Sequence, residues 1–141
     1  MKRTIFCIIL LSVLISYKML AMNKDYPCVN QDTLVVLWTS NDKVQTLDMI
    51  LWYTGYAKSQ NWWKEIIIIT WGPSNELIAT DKEIQEKIRQ MISDGVKFKA
   101  CKGCADKNEI SDDLTRLGIE VVYVGGELTH FLKGGYPLLT F

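Results

Sequence analysis

Neither sign of charge dominates this sequence of 141 residues, in which 16 lysines and arginines balance 16 aspartates and glutamates. A protein held on nucleic acid by its backbone charge normally carries a basic excess, so the balance argues against that class. Histidine occurs once, at His130. With a single imidazole and no Ser-His-Asp order, little room is left for hydrolase machinery of the triad type. The glycines form neither the P-loop nor the dinucleotide-binding pattern. There is no repeat at a solenoid period, and no apolar run reaches the roughly 20 residues of a spanning helix. What the chain does have is apolar content: 48% hydrophobic and 23% charged residues. That is enough to offset the entropy of folding, over a length that suits one domain.

The first 21 residues read as a targeting segment. Lys2 and Arg3 form a short positive region, and Ile5 to Ile15 is apolar apart from Ser12. Lys18 interrupts the run, and Ala21 is a small residue at a possible cleavage point, although Met19 sits where a small residue is preferred. Export with cleavage is the first expectation, and an uncleaved anchor through residues 4–20 is the second. Both place the folded part outside the cytoplasm, periplasmic or secreted in the first case and membrane-anchored in the second. Loss of Lys2, Arg3 and Lys18 leaves 13 basic against 16 acidic residues, and loss of Cys7 leaves Cys28, Cys101 and Cys104. Three cysteines in an exported domain leave one over after any internal disulfide. Residues 22–32 are polar with Pro27 and read as a linker.

From 33 onward two periodicities alternate. Thr33–Thr39 and Lys64–Trp71 are continuous apolar runs of the kind that form strands buried on both faces. Lys43–Ser59 reads as a helix with a wide apolar face of Val44, Leu47, Met49, Leu51, Trp52, Tyr53 and Tyr56. Glu76–Ile92 reads as one amphipathic helix with Leu77, Ile84, Ile88 and Met91 on its apolar side. Val96–Ala100, Ile119–Val124 and Pro137–Phe141 complete five strands. Two short helices lie between them: Ser111–Leu117, with Ser111 as N-cap and Gly118 as terminator, and Glu127–Lys133. Alternation with short connections predicts a parallel sheet with right-handed crossovers. The expected fold class is α/β, a three-layer α/β/α sandwich with a five-stranded parallel sheet.

Chemistry in such sheets gathers at the carboxyl ends of the strands. Those ends carry Ser40-Asn41-Asp42, Gly72-Pro73-Ser74, Cys101-Lys102-Gly103-Cys104 and Gly125-Gly126. The Cys-x-x-Cys is the sharpest feature. It suits a disulfide that closes a loop, a shared metal, or a nucleophile with a resolving partner. Lys102 and nearby helix amides are expected to favour a thiolate. A thioredoxin-type motif follows an early strand and opens a long helix, which this one does not. Zinc would need Cys28, Cys101, Cys104 and His130 together, and no spacing brings the first or last to the pair, so neither metal nor cofactor is expected. Gly72-Pro73-Ser74 reads as a plain tight turn in preference to an anion-binding turn leading into a helix. Trp52, Trp62 and Trp63 suit either a subunit contact or the core.

Leu34–Trp38, Trp71-Gly-Pro-Ser74, Ala100-Cys-Lys-Gly-Cys-Ala-Asp106, Gly118–Val124 and Pro137–Phe141 together resemble the DsrE/DsrF-like family, which includes YchN-like proteins and sulfur-relay subunits. The resemblance spans about residues 33–141. It implies an α/β/α sandwich that assembles into homo-oligomers, often trimers or hexamers, and a reactive cysteine after the third strand. In relay members that cysteine carries sulfur as a persulfide to a partner protein. The matching position is Cys104, with Cys101 as a neighbour able to resolve or exchange the persulfide. The chain would then be a sulfur carrier or sulfurtransferase with a protein sulfur donor or acceptor. Export and the lack of a fused partner domain separate it from tRNA-thiolation relays. The contrasting expectation is a non-catalytic oligomeric scaffold with a structural Cys101–Cys104 disulfide.

Overall fold

The computed structural model describes residues 32–141. The segment read as a targeting signal and nearly all of the stretch read as a linker, with Cys7 and Cys28, lie outside the described residues. No helix among the described residues is long and apolar enough to cross a membrane.

The two apolar runs form the centre of a sheet. β1 (Thr33–Trp38) pairs in parallel with β2 (Glu65–Thr70), with Val36 opposite Ile68. β3 (Lys97–Cys101), β4 (Glu120–Val122) and β5 (Leu138–Thr140) complete a parallel sheet of order β4-β3-β2-β1-β5. The chain steps one way through the first four strands and then returns past all of them to β5. Right-handed crossovers therefore put the early helices on one face and the return helix on the other.

Side-chain alternation along the strands divides the core accordingly. Leu34, Val36, Trp38, Ile66, Ile68, Phe98 and Ala100 face the larger cluster under the early helices. Val35, Ile67, Ile69 and Cys101 face a smaller cluster with Val124 and Phe131 of the return helix. This is the expected three-layer sandwich, with unequal layers.

The helices depart from the sequence reading in detail. α1 runs through Lys43–Gln45, a π-helical stretch at Thr46–Leu51, and Trp52–Ser59. A π turn adds a residue to the helical repeat and shifts the face that follows it. Thr46, Ile50, Leu51, Thr54 and Ala57 are inside, while Val44, Met49, Trp52 and Tyr56 are exposed. The single helix expected at Glu76–Ile92 is two, α2 (Pro73–Thr80) and α3 (Lys82–Ser93). Asp81 separates them in an extended conformation, and its carboxylate accepts the N–H groups of Glu83 and Ile84. Aspartate competes with the helical backbone in this way, so it caps better than it continues.

α4 (Lys102–Lys107) follows β3 directly, and α5 (Ser111–Arg116) ends at Gly118, which adopts φ 89° as expected. Ser111 is not the N-cap; its hydroxyl donates to Asp106 Oδ1 at 2.7 Å. The return helix, α6 (Val124–Lys133), starts before Glu127 and takes Gly125 and Gly126 into its first turn.

Candidate functional site

β3 extends one residue beyond its expected end, so Cys101 is both its last residue and the N-cap of α4. At φ −63° and ψ 107°, Cys101 turns the chain from strand into helix. Its side chain is buried in the smaller cluster, and Cys104, within the first turn of α4, packs against the same cluster while half-exposed. Both are free cysteines.

Burial pushes the Cys101 thiol up from its ordinary pKa, because a thiolate there loses solvation. A hydrogen bond with the Cys104 side chain pushes the same way. The N–H groups of Cys104 and Gly103 pull against both, without prevailing. Burial thus favours the protonated form of Cys101, next to the half-buried Cys104.

Lys102 is paired along α4. Its ammonium meets Asp106 at 2.5 Å along α4. That hydrogen bond raises the Lys102 pKa and, with the Ser111 hydroxyl, lowers that of Asp106. The charge the sequence assigned to the thiols is engaged by a carboxylate on the same helix. Tyr123, exposed just before α6, is near enough to interact electrostatically with Lys102.

The neighbouring junction, from β2 into α2, is built from polar side chains that are all satisfied. Gly72 adopts φ 73° and ψ −129°, a conformation few residues other than glycine take, and Pro73 opens the helix. Ser74 is fully buried, and its hydroxyl donates to the Trp38 carbonyl at 2.8 Å. The Trp71 N–H is shared between that carbonyl at 3.0 Å and Ser74 Oγ at 3.1 Å. Asn75, also fully buried, accepts from the Thr70 hydroxyl at 2.6 Å and donates from Nδ2 to the Cys101 carbonyl at 3.4 Å. Glu76 accepts from Asn108 at 2.7 Å, at the far end of α4. Ser74, Asn75 and Glu76 thus hold β1, β3 and α4 in turn. Ser74 is occupied within the fold, which agrees with the tight-turn reading of this segment.

On the other side of the cysteines, Lys99 meets Glu127 at 2.9 Å and Glu120 at 3.1 Å, joining β3 to β4 and α6. Burial works against the Lys99 charge, but the two carboxylates raise its pKa overall.

The structure brings Cys101, Lys102 and Cys104 to one strand end and leaves other flagged residues apart. Asn41 is exposed in the loop after β1. His130 is exposed on α6, with its ring centroid 5.6 Å from that of Phe131. Trp52 stacks on Tyr56, which meets Trp62 edge-on, and these three form an exposed aromatic patch on α1 and the turn after it. Trp63 packs against the larger core. Among the described residues, no group of three His, Cys, Asp or Glu side chains is arranged to hold a metal ion. Thr70 and Asn75 were missed. The available signal was a threonine closing a run of four isoleucines, followed by an asparagine in the first turn of the next helix.

The family model described as the DsrE/DsrF-like family matches residues 72–141, which include Gly72 to Asn75 and both Cys101 and Cys104. A conserved protein of unknown function from Bacteroides thetaiotaomicron is 37% identical, with 78% of this chain and 95% of that one covered and a TM-score of 0.77. The chain belongs to the DsrE/DsrF-like family. Two more distant structures share its fold. One is a protein of unknown function from Methanobacterium thermoautotrophicum, 17% identical, covering 77% of this chain and 98% of its own, with a TM-score of 0.66. The other is the ychN protein of E. coli, 18% identical, covering 78% and 99%, with a TM-score of 0.62. None of the curated proteins matches the chain. This DsrE-like protein therefore carries the sulfur-relay-related fold, with a Cys-x-x-Cys at the end of its third strand.

Proposed function

We propose that this DsrE-like protein is an exported sulfur carrier that holds sulfane sulfur as a persulfide on Cys104. The observation that carries the reading is the unequal pair: Cys104 is half-exposed, while Cys101 beside it is buried and keeps its proton. In the loading step the Cys104 thiolate attacks the outer sulfur of a persulfide donor. A new S–S bond forms at Cys104, the donor's S–S bond breaks, and the donor leaves as a thiolate. Unloading reverses this on an acceptor thiolate. Alternatively, Cys101, once deprotonated, attacks the Cys104 sulfur. That route closes a Cys101–Cys104 disulfide and expels hydrosulfide, with the two electrons coming from the two cysteines.

The positive and apolar N-terminal segment supports export. The exposed aromatic patch of Trp52, Tyr56 and Trp62 supports association with further copies of the chain, since apolar area of this kind is normally covered.

The test is intact mass after the reduced protein meets polysulfide, for wild type, Cys101→Ser and Cys104→Ser. A gain of one sulfur, about 32 Da, that persists in Cys101→Ser and is lost in Cys104→Ser supports the reading. No uptake by any of the three, with only a disulfide forming in wild type, rejects it in favour of a scaffold with a structural bridge.

A further inference from the structure

We infer that Asn75, backed by Thr70, is a positioning residue for the Cys101–Cys104 pair. The inference rests on this pair being the working site, and not on which sulfur compound it meets. Asn75 and Thr70 are both fully buried, so neither has water as an alternative partner. A backbone carbonyl can only accept, so the amide has one attractive orientation, with Nδ2 towards the Cys101 oxygen. Oδ1 then faces Thr70, whose hydroxyl supplies the donor at 2.6 Å.

The restrained carbonyl belongs to the peptide unit that joins β3 to α4. Its plane sets ψ of Cys101, and with it the direction in which α4 departs. That direction determines whether the N–H groups of Gly103 and Cys104 face the Cys101 sulfur, and whether the two sulfurs meet. Asn75 touches neither sulfur through its hydrogen bonds; it acts on them through the backbone between them. Within the Gly-Pro-Ser-Asn turn, Asn75 is thus the residue that aims the Cys-x-x-Cys.

The experiment is iodoacetamide alkylation of the purified, reduced protein across pH 6–10, with peptide mapping to follow Cys104. Asn75→Ala and the near-isosteric Thr70→Val are expected to change the Cys104 rate by about threefold or more, the scale of one lost hydrogen bond, and to move the midpoint of the pH profile. Thr70→Ser, which keeps the hydroxyl, is expected to follow wild type. Ser74→Ala loosens the same turn at the Trp38 carbonyl without touching Cys101, and is expected to lower thermal stability while leaving the profile in place. If Asn75→Ala does not fold, Thr70→Val carries the test.

Profiles of the folded Asn75 and Thr70 variants that superimpose on wild type overturn the inference. So does a Ser74→Ala shift of equal size, which would reduce the effect to general loosening, or a Thr70→Ser that behaves like Thr70→Val. Failure of wild type to take up sulfur rejects the carrier reading by a separate measurement and leaves this alkylation result standing.

Discussion

Two strand-to-helix junctions stand side by side at the carboxyl edge of the sheet, since Thr70 of β2 pairs with Ala100 of β3. At the first, Trp71 to Asn75, the buried hydroxyl and the buried amide both have hydrogen-bond partners. At the second, Cys101 to Cys104, the principal side chains are sulfurs, one buried and one half-exposed, interacting chiefly with each other. The first junction has its polar capacity filled from inside the fold and serves as a wall. The second leaves the Cys104 thiol half-buried at the same edge. The difference separates a turn whose polar groups are spent on holding the fold from one that leaves a thiol only half-buried, although both are short turns after parallel strands.

The largest expected contrast is between Asn75→Leu and Cys104→Ser. The first leaves the Thr70 hydroxyl buried without its partner and should cost about 2–3 kcal/mol in urea denaturation. The second should cost less than about 1 kcal/mol while removing reactivity at that position. Equal costs would break the distinction between wall and reactive turn. The two glycines sharpen it with a single type of substitution. Gly72→Ala should destabilise by about 1–2 kcal/mol, because φ 73° with ψ −129° is strained for any side chain. Gly103→Ala lies in a helical turn with open space around a new Cβ, and should be neutral or stabilising by up to about 1 kcal/mol.

A smaller effect comes from pH. The Cys101 thiol has a raised pKa in the folded chain, so the unfolded chain releases this proton first. The stability from this source is fully present below the unfolded thiol value of about 8.5, and is lost as pH rises from there through the folded value. Reduced wild type should therefore lose more of its urea midpoint between about pH 8 and 10 than Cys101→Ala does. Parallel curves would remove Cys101 burial as the cause. Smallest of all is Lys102→Met. With its charge engaged by Asp106 on an exposed helix, the substitution should change the Cys104 alkylation rate by less than about twofold. A large fall would restore Lys102 as a group acting on the thiols.

Legibility in the sequence followed how local the cause was. Ile84, Ile88 and Met91 were readable as the inner face of α3 because an uninterrupted helix keeps its period, and all three are buried. α1 was misread in its inner face because a π turn at Thr46–Leu51 changes that period without leaving a mark in the residues. The same helix buries two threonines and exposes two large aromatics, against the hydrophobic pattern. Asp81 could have been read as a cap, but amphipathic spacing on both sides outweighed it.

Within the site, Cys101, Lys102 and Cys104 were found by spacing, and their placement at a strand end followed from alternation. Thr70 and Asn75 were not found, because their meeting depends on how a turn after β2 comes against the end of β3. The sequence by itself determined the strands, their parallel pairing and the edge on which the cysteines lie, since burial on both faces and short crossovers leave few other arrangements. The tertiary structure alone decided the strand order and which cysteine is buried. It also decided that Lys102 turns to Asp106 rather than to the sulfurs. Each of these depends on contacts across adjacent strands and helices, where desolvation and hydrogen-bond partners are set by neighbours distant in the chain.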